Sequence, residues 1–82
     1  MKKILLDARE LEHPIPLQLA LNYLQKMSKD EFLYMIHRKN PIPLIEIAKE
    51  KSYAYLTYNY QDIWHILICK NPKSNLEELL DV

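Results

Sequence analysis

The sequence predicts one α/β domain, an α+β two-layer sandwich of order β-α-β-α-β-β. Its four strands form a mixed sheet in the order 1-2-4-3, with two helices on one face. Three observations predict it. The tetrapeptide Pro-Ile-Pro-Leu occurs twice, at 14–17 and 41–44, each time between an apolar run and a stretch of helical periodicity. Four short runs are rich in aliphatic, β-branched or aromatic residues, which suits a pleated, half-buried surface. The last two runs are separated only by Gln61-Asp62, a spacing that a tight hairpin turn spans.

The first strand is Lys3–Asp7, a short apolar run, followed by a polar loop at 8–13. Pro14 and Pro16 then open a helix, because the first N–H groups of a helix have no intrahelical partner and proline has no N–H to lose. Leu17, Ala20, Leu21, Leu24 and Met27 recur at three- and four-residue spacing, which places them on one helical face ending near Met27. Glu31–Arg38 is a buried strand bounded by charge. Asn40 is the expected N-cap of the second helix, with Pro41 at its first position and Leu44, Ile45 and Ala48 on one face; the helix stops near Lys51. Tyr53–Tyr60 and Ile63–Lys70 are the third and fourth strands. Crossovers between parallel strands are right-handed in nearly all cases. The fourth strand is the most continuously apolar, so it belongs in the sheet interior between the second and third. Residues 1–72 then make the single domain and 73–82 a C-terminal tail, either a short helix or disordered. Ser74 with Glu77 three residues on reads as a capping box.

With 82 residues the chain buries roughly 60–65% of the surface its unfolded form exposes, so the core is single and modest. Lys plus Arg and Asp plus Glu are 11 each, and nucleic-acid binders carry a basic excess or stripe. Arg38, Lys39, Lys49 and Lys51 read as solvated surface. The complete absence of glycine excludes the Gly-rich loops that cradle phosphates. No Ser-His-Asp set or paired carboxylates stand out. One cysteine, Cys69, allows no intrachain disulfide and fits a reducing cytoplasm. No apolar run approaches the ~20 residues of a spanning helix. The expectation is a soluble cytoplasmic protein with no cofactor, no nucleic-acid partner and no membrane.

The stretch LDARELEHPIPL, residues 5–16, resembles the opening of the TusA/SirA-like small bacterial proteins, whose pattern is Leu-Asp-x-Arg-Gly-Leu followed by Cys-Pro-x-Pro at a helix start. The second NPIPL and the aromatic strands after it resemble more closely a related family, the domain-of-unknown-function family 2249. The resemblance covers about residues 4–70 and implies a two-layer α/β sandwich, a TusA-like domain. Asp7, Arg9, Leu11, Pro14 and Pro16 fit the pattern. Glu10 stands in place of glycine, and His13 stands where the sulfur carriers have the cysteine that holds a persulfide. An imidazole cannot form a persulfide, so the carrier chemistry does not transfer to that position.

His13 is the first binding candidate, placed just before a helix N-terminus, where an imidazole can accept a hydrogen bond or bind a metal; its plainer role is that of a surface or capping histidine. Asp7 and Arg9 are further binding candidates near the same helix start, with a structural ion pair as the plainer role. His37 and His65 fall toward the same rim of the sheet, so His13, His37 and His65 form a candidate metal set without the compact spacing of known sites. Cys69 is the alternative persulfide thiol, weighed against simple burial as a small hydrophobe. Alternation groups Leu33, Met35 and His37 with His65, Leu67 and Cys69, and Phe32, Tyr34 and Ile36 with Trp64, Ile66 and Ile68. Either set facing outward exposes an apolar patch, a mark of interaction surfaces. The function expected is a binding or adaptor module without the carrier cysteine and without enzymatic activity, meeting a protein partner or another copy of itself through the open sheet face. The alternatives are a sulfur relay through Cys69 and a small metal-binding protein through His13.

Overall fold

A computed structural model of the protein describes residues 1–79. Its elements are β1 (Lys2–Asp7), α1 (Ile15–Lys26), β2 (Glu31–His37), α2 (Ile42–Glu50), β3 (Ala54–Tyr60), β4 (Ile63–Cys69) and a single 3-10 turn, Leu76–Leu79. The sheet order is β1-β2-β4-β3. β1 and β2 run parallel, and β4 is antiparallel to both β2 and β3. The fold class, element order and strand order are those expected from the sequence.

Both helices lie on one face, and the main core lies beneath them. Leu6 and Ala8 from the β1 side, Leu33 and Met35 from β2, and Ile66 and Ile68 from β4 meet Ala20 and Leu24 of α1 and Leu44 and Ala48 of α2. Ala20 and Ala48, both fully buried, are the small residues that let the helices approach the sheet.

The helix ends differ from the expectation in one respect. α2 begins one residue later than expected, with Pro41 rather than Asn40 at its N-cap and no side-chain cap. Asn40 instead lends its backbone carbonyl to the Ile42 N–H, 2.9 Å away. At the other end Tyr53 N–H donates to the Ala48 carbonyl (2.9 Å) and Ser52 N–H to that of Lys49 (3.1 Å). That is a Schellman closure, with Ser52 at φ 58° holding the left-handed position glycine usually takes. Lys70 Nζ donates to the Met27 carbonyl at 2.6 Å, a cation on the negative end of α1. Gln61 and Asp62, at φ 54° and 63°, make the two-residue turn of the β3–β4 hairpin.

The two sheet faces combine the strands the other way round from the alternation expected. Phe32 pairs with Cys69, Tyr34 with Leu67 and Ile36 with His65. Paired numbers thus add to an odd total, so even positions of β2 share a face with odd positions of β4. Leu33, Met35, His37, Trp64, Ile66 and Ile68 face the helices; Phe32, Tyr34, Ile36, His65, Leu67 and Cys69 face away. Nor is the far face wholly open. Leu76 of the 3-10 turn is buried against Phe32, Leu67 and Cys69, with Leu79 beside them. The turn is capped by Asn75, whose Oδ1 accepts the Glu77 N–H at 3.2 Å; Ser74, the expected cap, turns to the Cys69 thiol, Oγ to Sγ 3.3 Å. The remainder of the expected tail, residues 80–82, lies outside the described residues.

Candidate functional site

The two Pro-Ile-Pro-Leu segments occupy equivalent places. Each opens a helix just beyond the C-terminal end of one of two neighbouring parallel strands, so the two helix starts sit side by side. Accounting for their backbone donors explains the prolines. Pro14 and Pro16 of α1, and Pro41 and Pro43 of α2, have no N–H to satisfy. Ile15 N–H donates to the Glu12 carbonyl (2.9 Å) and Gln18 N–H to that of Pro14 (3.1 Å). In α2, Ile42 N–H donates to Asn40 and Ile45 N–H to the Pro41 carbonyl (3.1 Å). Neither helix uses a side-chain cap. One donor in each first turn, Leu17 N–H and Leu44 N–H, has no acceptor among the described residues.

Between these starts is a cleft of about 390 Å³, lined by Leu17 and Leu44 together with His13, His37, Arg38 and Lys39. That volume falls within the roughly 300–1,000 Å³ of small-ligand sites. His13 is exposed, and the His13–Pro14 peptide bond is cis. His37 is half-buried, and its Nδ1–H donates to the Ala8 carbonyl at 3.1 Å. That bond fixes the tautomer and leaves Nε2 as the acceptor of the neutral ring. Burial lowers the His37 pKa from its ordinary 6.5, the Ala8 bond partly opposes this, and Arg38 and Lys39 lower it further. Arg38 and Lys39 form no ion pair among the described residues. Glu12 is the one acid on the wall. The lining therefore combines two imidazoles, two cations and two helix N-termini, which together favour negative charge.

Asp7 and Arg9 are engaged with each other instead. Arg9 Nη2 and Nε donate to Asp7 Oδ2 and Oδ1 at 2.7 and 2.9 Å, and Arg9 N–H donates to Oδ1 at 3.2 Å. Those three donors hold the Asp7 pKa down at about 2. The pair ties the end of β1 to its loop and leaves the guanidinium turned away from a role in the cleft.

The three histidines do not meet. His37 faces the helices and His65 faces away, because His37 pairs with Trp64 and His65 with Ile36. They share an end of the sheet but not a side. Among the described residues no group of three or more His, Cys, Asp or Glu side chains is placed to hold a metal. His65 belongs to an aromatic stack. Its ring lies 4.6 Å from that of Tyr58 and nearly parallel, and its Nδ1 is 2.8 Å from the Tyr34 hydroxyl. Burial pushes the His65 pKa down and the Tyr34 pKa up, Tyr58 adding to the latter. Cys69 is fully buried, its Sγ 4.0 Å from Met1 Sδ.

Arg38 and Lys39 are exposed, as expected of solvated surface, but sequence reasoning missed that they line the cleft, and it missed the Leu17 and Leu44 donors. The signal was present in the repeated tetrapeptide: two equivalent strand-to-helix turns on adjacent parallel strands bring residue 13 and residues 38–40 together.

A family model described as "Uncharacterized conserved protein (DUF2249)" matches residues 5–70. The match spans both helix starts, every wall of the cleft, the last three strands and the second half of β1. Neither a curated protein nor a solved structure matches the chain.

Proposed function

The chain belongs to the DUF2249 family, and from that premise we propose that it is a non-catalytic binding module whose ligand site is the cleft between α1 and α2. The observation that carries this reading is the convergence of two uncapped helix starts on one cavity. Open α/β sheets bind ligands outside the carboxyl ends of their strands, and this cavity lies there. Its ligand is a small molecule with a carboxylate or phosphate head. The head takes the Leu17 and Leu44 N–H groups with Arg38 or Lys39, and an apolar body rests on the Leu11, Pro16 and Leu17 wall.

In this reading the chain uses a TusA/SirA-like scaffold that has lost its nucleophile. His13 in the place of the carrier cysteine and the β-α-β-α-β-β order support that descent. Among the described residues the cleft lining supplies no nucleophile with an oriented base, the arrangement hydrolysis or transfer needs. A relay through Cys69 is disfavoured by its burial, since reactive thiols are exposed and stabilised as thiolates. Metal binding through His13 is left with His37 as its one imidazole companion. The balanced charge supports partners other than nucleic acid. The single free thiol supports a cytoplasmic setting, and no described helix is long and apolar enough to cross a membrane.

The test is a ¹⁵N-edited NMR titration with inorganic phosphate and a panel of small carboxylates. The Leu17 and Leu44 amides and the His13 and His37 rings shift together and saturate, and Lys39→Ala weakens the effect. Unmoved Leu17 and Leu44 amides at millimolar ligand overturn the assignment.

A further inference from the structure

β3 is an edge strand that lacks the usual defences of one. It pairs with β4 alone, and among the described residues no backbone hydrogen bond leaves Ala54–Tyr60 on its outer side. Sheet edges are normally blunted by charge, proline or a bulge. The seven residues of β3, AYLTYNY, contain neither charge nor proline. Their register runs from Ala54↔Cys69 to Tyr60↔Ile63 without a skipped residue, so no bulge bends the edge away. The opposite edge, β1, carries Lys2, Lys3 and Asp7 and is defended.

We infer that β3 is a self-pairing edge: two copies of this chain join antiparallel through β3, about a two-fold axis at Thr57, into one eight-stranded sheet. The occupant is argued from the order of side chains. The axis at Thr57 is the one centre that pairs all seven residues. It sets Thr57 against its own copy, Leu56 against Tyr58, Tyr55 against Asn59 and Ala54 against Tyr60. Every pair is uncharged, and the central one sets Thr57 against Thr57, a combination favoured across strands. Tyr60 is the most exposed of the large hydrophobic residues, at 62%. Its partner position, Ala54, has the smallest side chain of the strand. Beside Ala54 is a groove of about 330 Å³ walled by Leu56, Pro72 and Leu76, which receives the Tyr60 ring of the second copy. Zero net charge removes long-range repulsion between copies.

The contact is small. Seven residues span about 24 Å, over a sheet edge roughly 10 Å deep. The buried area is therefore about 500 Å² in total, below the ~1,200 Å² of stable complexes. The dimer is accordingly weak and dissociates on dilution. This inference is independent of the cleft, which lies on the helix side between other elements.

Sedimentation velocity of the full chain across a wide concentration range tests it. The wild type moves from monomer to dimer as concentration rises through the micromolar range. Thr57→Lys and Thr57→Glu, each folded by circular dichroism, remain monomeric because like charges meet at the axis. An equimolar mixture of the two recovers the dimer. A wild type monomeric throughout overturns the inference and assigns the edge to an extended segment of a different protein. A dimer that survives either charge, or a mixture that fails to recover one, overturns it as well and moves the interface to the outer sheet face.

Discussion

Replacing Leu76 by alanine tests whether Cys69 is sealed by the C-terminal turn. Leu76 is 5% exposed and packs on Phe32, Leu67 and Cys69, which are 5%, 2% and 0% exposed. The substitution removes three buried carbons, worth about 2.4 kcal/mol at about 0.8 each. Leucine-to-alanine changes in cores cost about 2–5 kcal/mol once the cavity is counted. A peripheral site such as this one collapses readily, so the lower end applies, about 2–3 kcal/mol. If the turn undocks as a local unit, its opening equilibrium rises by the same free energy, roughly 30- to 150-fold at 1.4 kcal/mol per decade. Reaction of Cys69 with an aromatic disulfide reagent under native conditions reads that equilibrium. The rate rises by that factor and depends only weakly on low urea, as local opening does. Leu5→Ala, on the same face but 54% exposed, leaves the rate unchanged. A Leu76→Ala rate within about threefold of wild type refutes the seal. So does a wild-type thiol that already reacts as fast as one in an unfolded peptide. The second result would return Cys69 to candidacy as a sulfur acceptor.

Ser52→Gly stabilises the protein by about 0.5–1 kcal/mol in urea melts, because glycine relieves the left-handed strain at the Schellman position; a loss of stability would show that the serine side chain supplies more than the strain costs. The melting temperature falls as pH drops below 6.5. The His37 and His65 pKa values are both lowered from that value by burial, so the unfolded chain binds more protons in that window. The decline ends once both folded rings are protonated, and His65→Phe shallows it. Arg9→Ala raises the Asp7 pKa from about 2 toward the ordinary 3.8, followed by NMR of the carboxyl carbon. The Asp7–Arg9 contribution to stability is present above that ordinary value and is lost as pH falls through the folded one.

The fold was legible because its signals are local. Helical spacing from Leu17 to Met27, the two-residue turn at Gln61-Asp62 and the unbroken apolar run of β4 each speak through neighbours in the chain. The strand order followed from those with general rules of handedness and burial. What failed was register. Nothing near residues 32–37 or 64–69 states how far β2 and β4 slide past each other, and a shift of one residue exchanges the faces. That single shift sent His65 to the far side and dissolved the three-histidine rim. The site was half legible. His13 was found through its position before Pro14, but Arg38 and Lys39 look like any loop cations until the two helix starts are seen as neighbours. Leu76 was missed for a similar reason: Leu76, Leu79 and Leu80 have helical spacing, but so short a run does not state which face of the sheet it docks on.

The place of β4 in the sheet order also constrains how the polypeptide matures. β3 touches the rest of the sheet through β4 alone, and β2 has only β1 beside it until β4 arrives. A nascent chain emerging from the ribosome through Asp62 thus holds two disconnected strand sets. Its β2 flank, with Leu33, Met35 and Phe32 on it, waits unpaired until β4 is made. Sheet formation therefore waits on a single closure by β4, and a chain stopped before β4 leaves sticky fragments rather than a smaller folded protein.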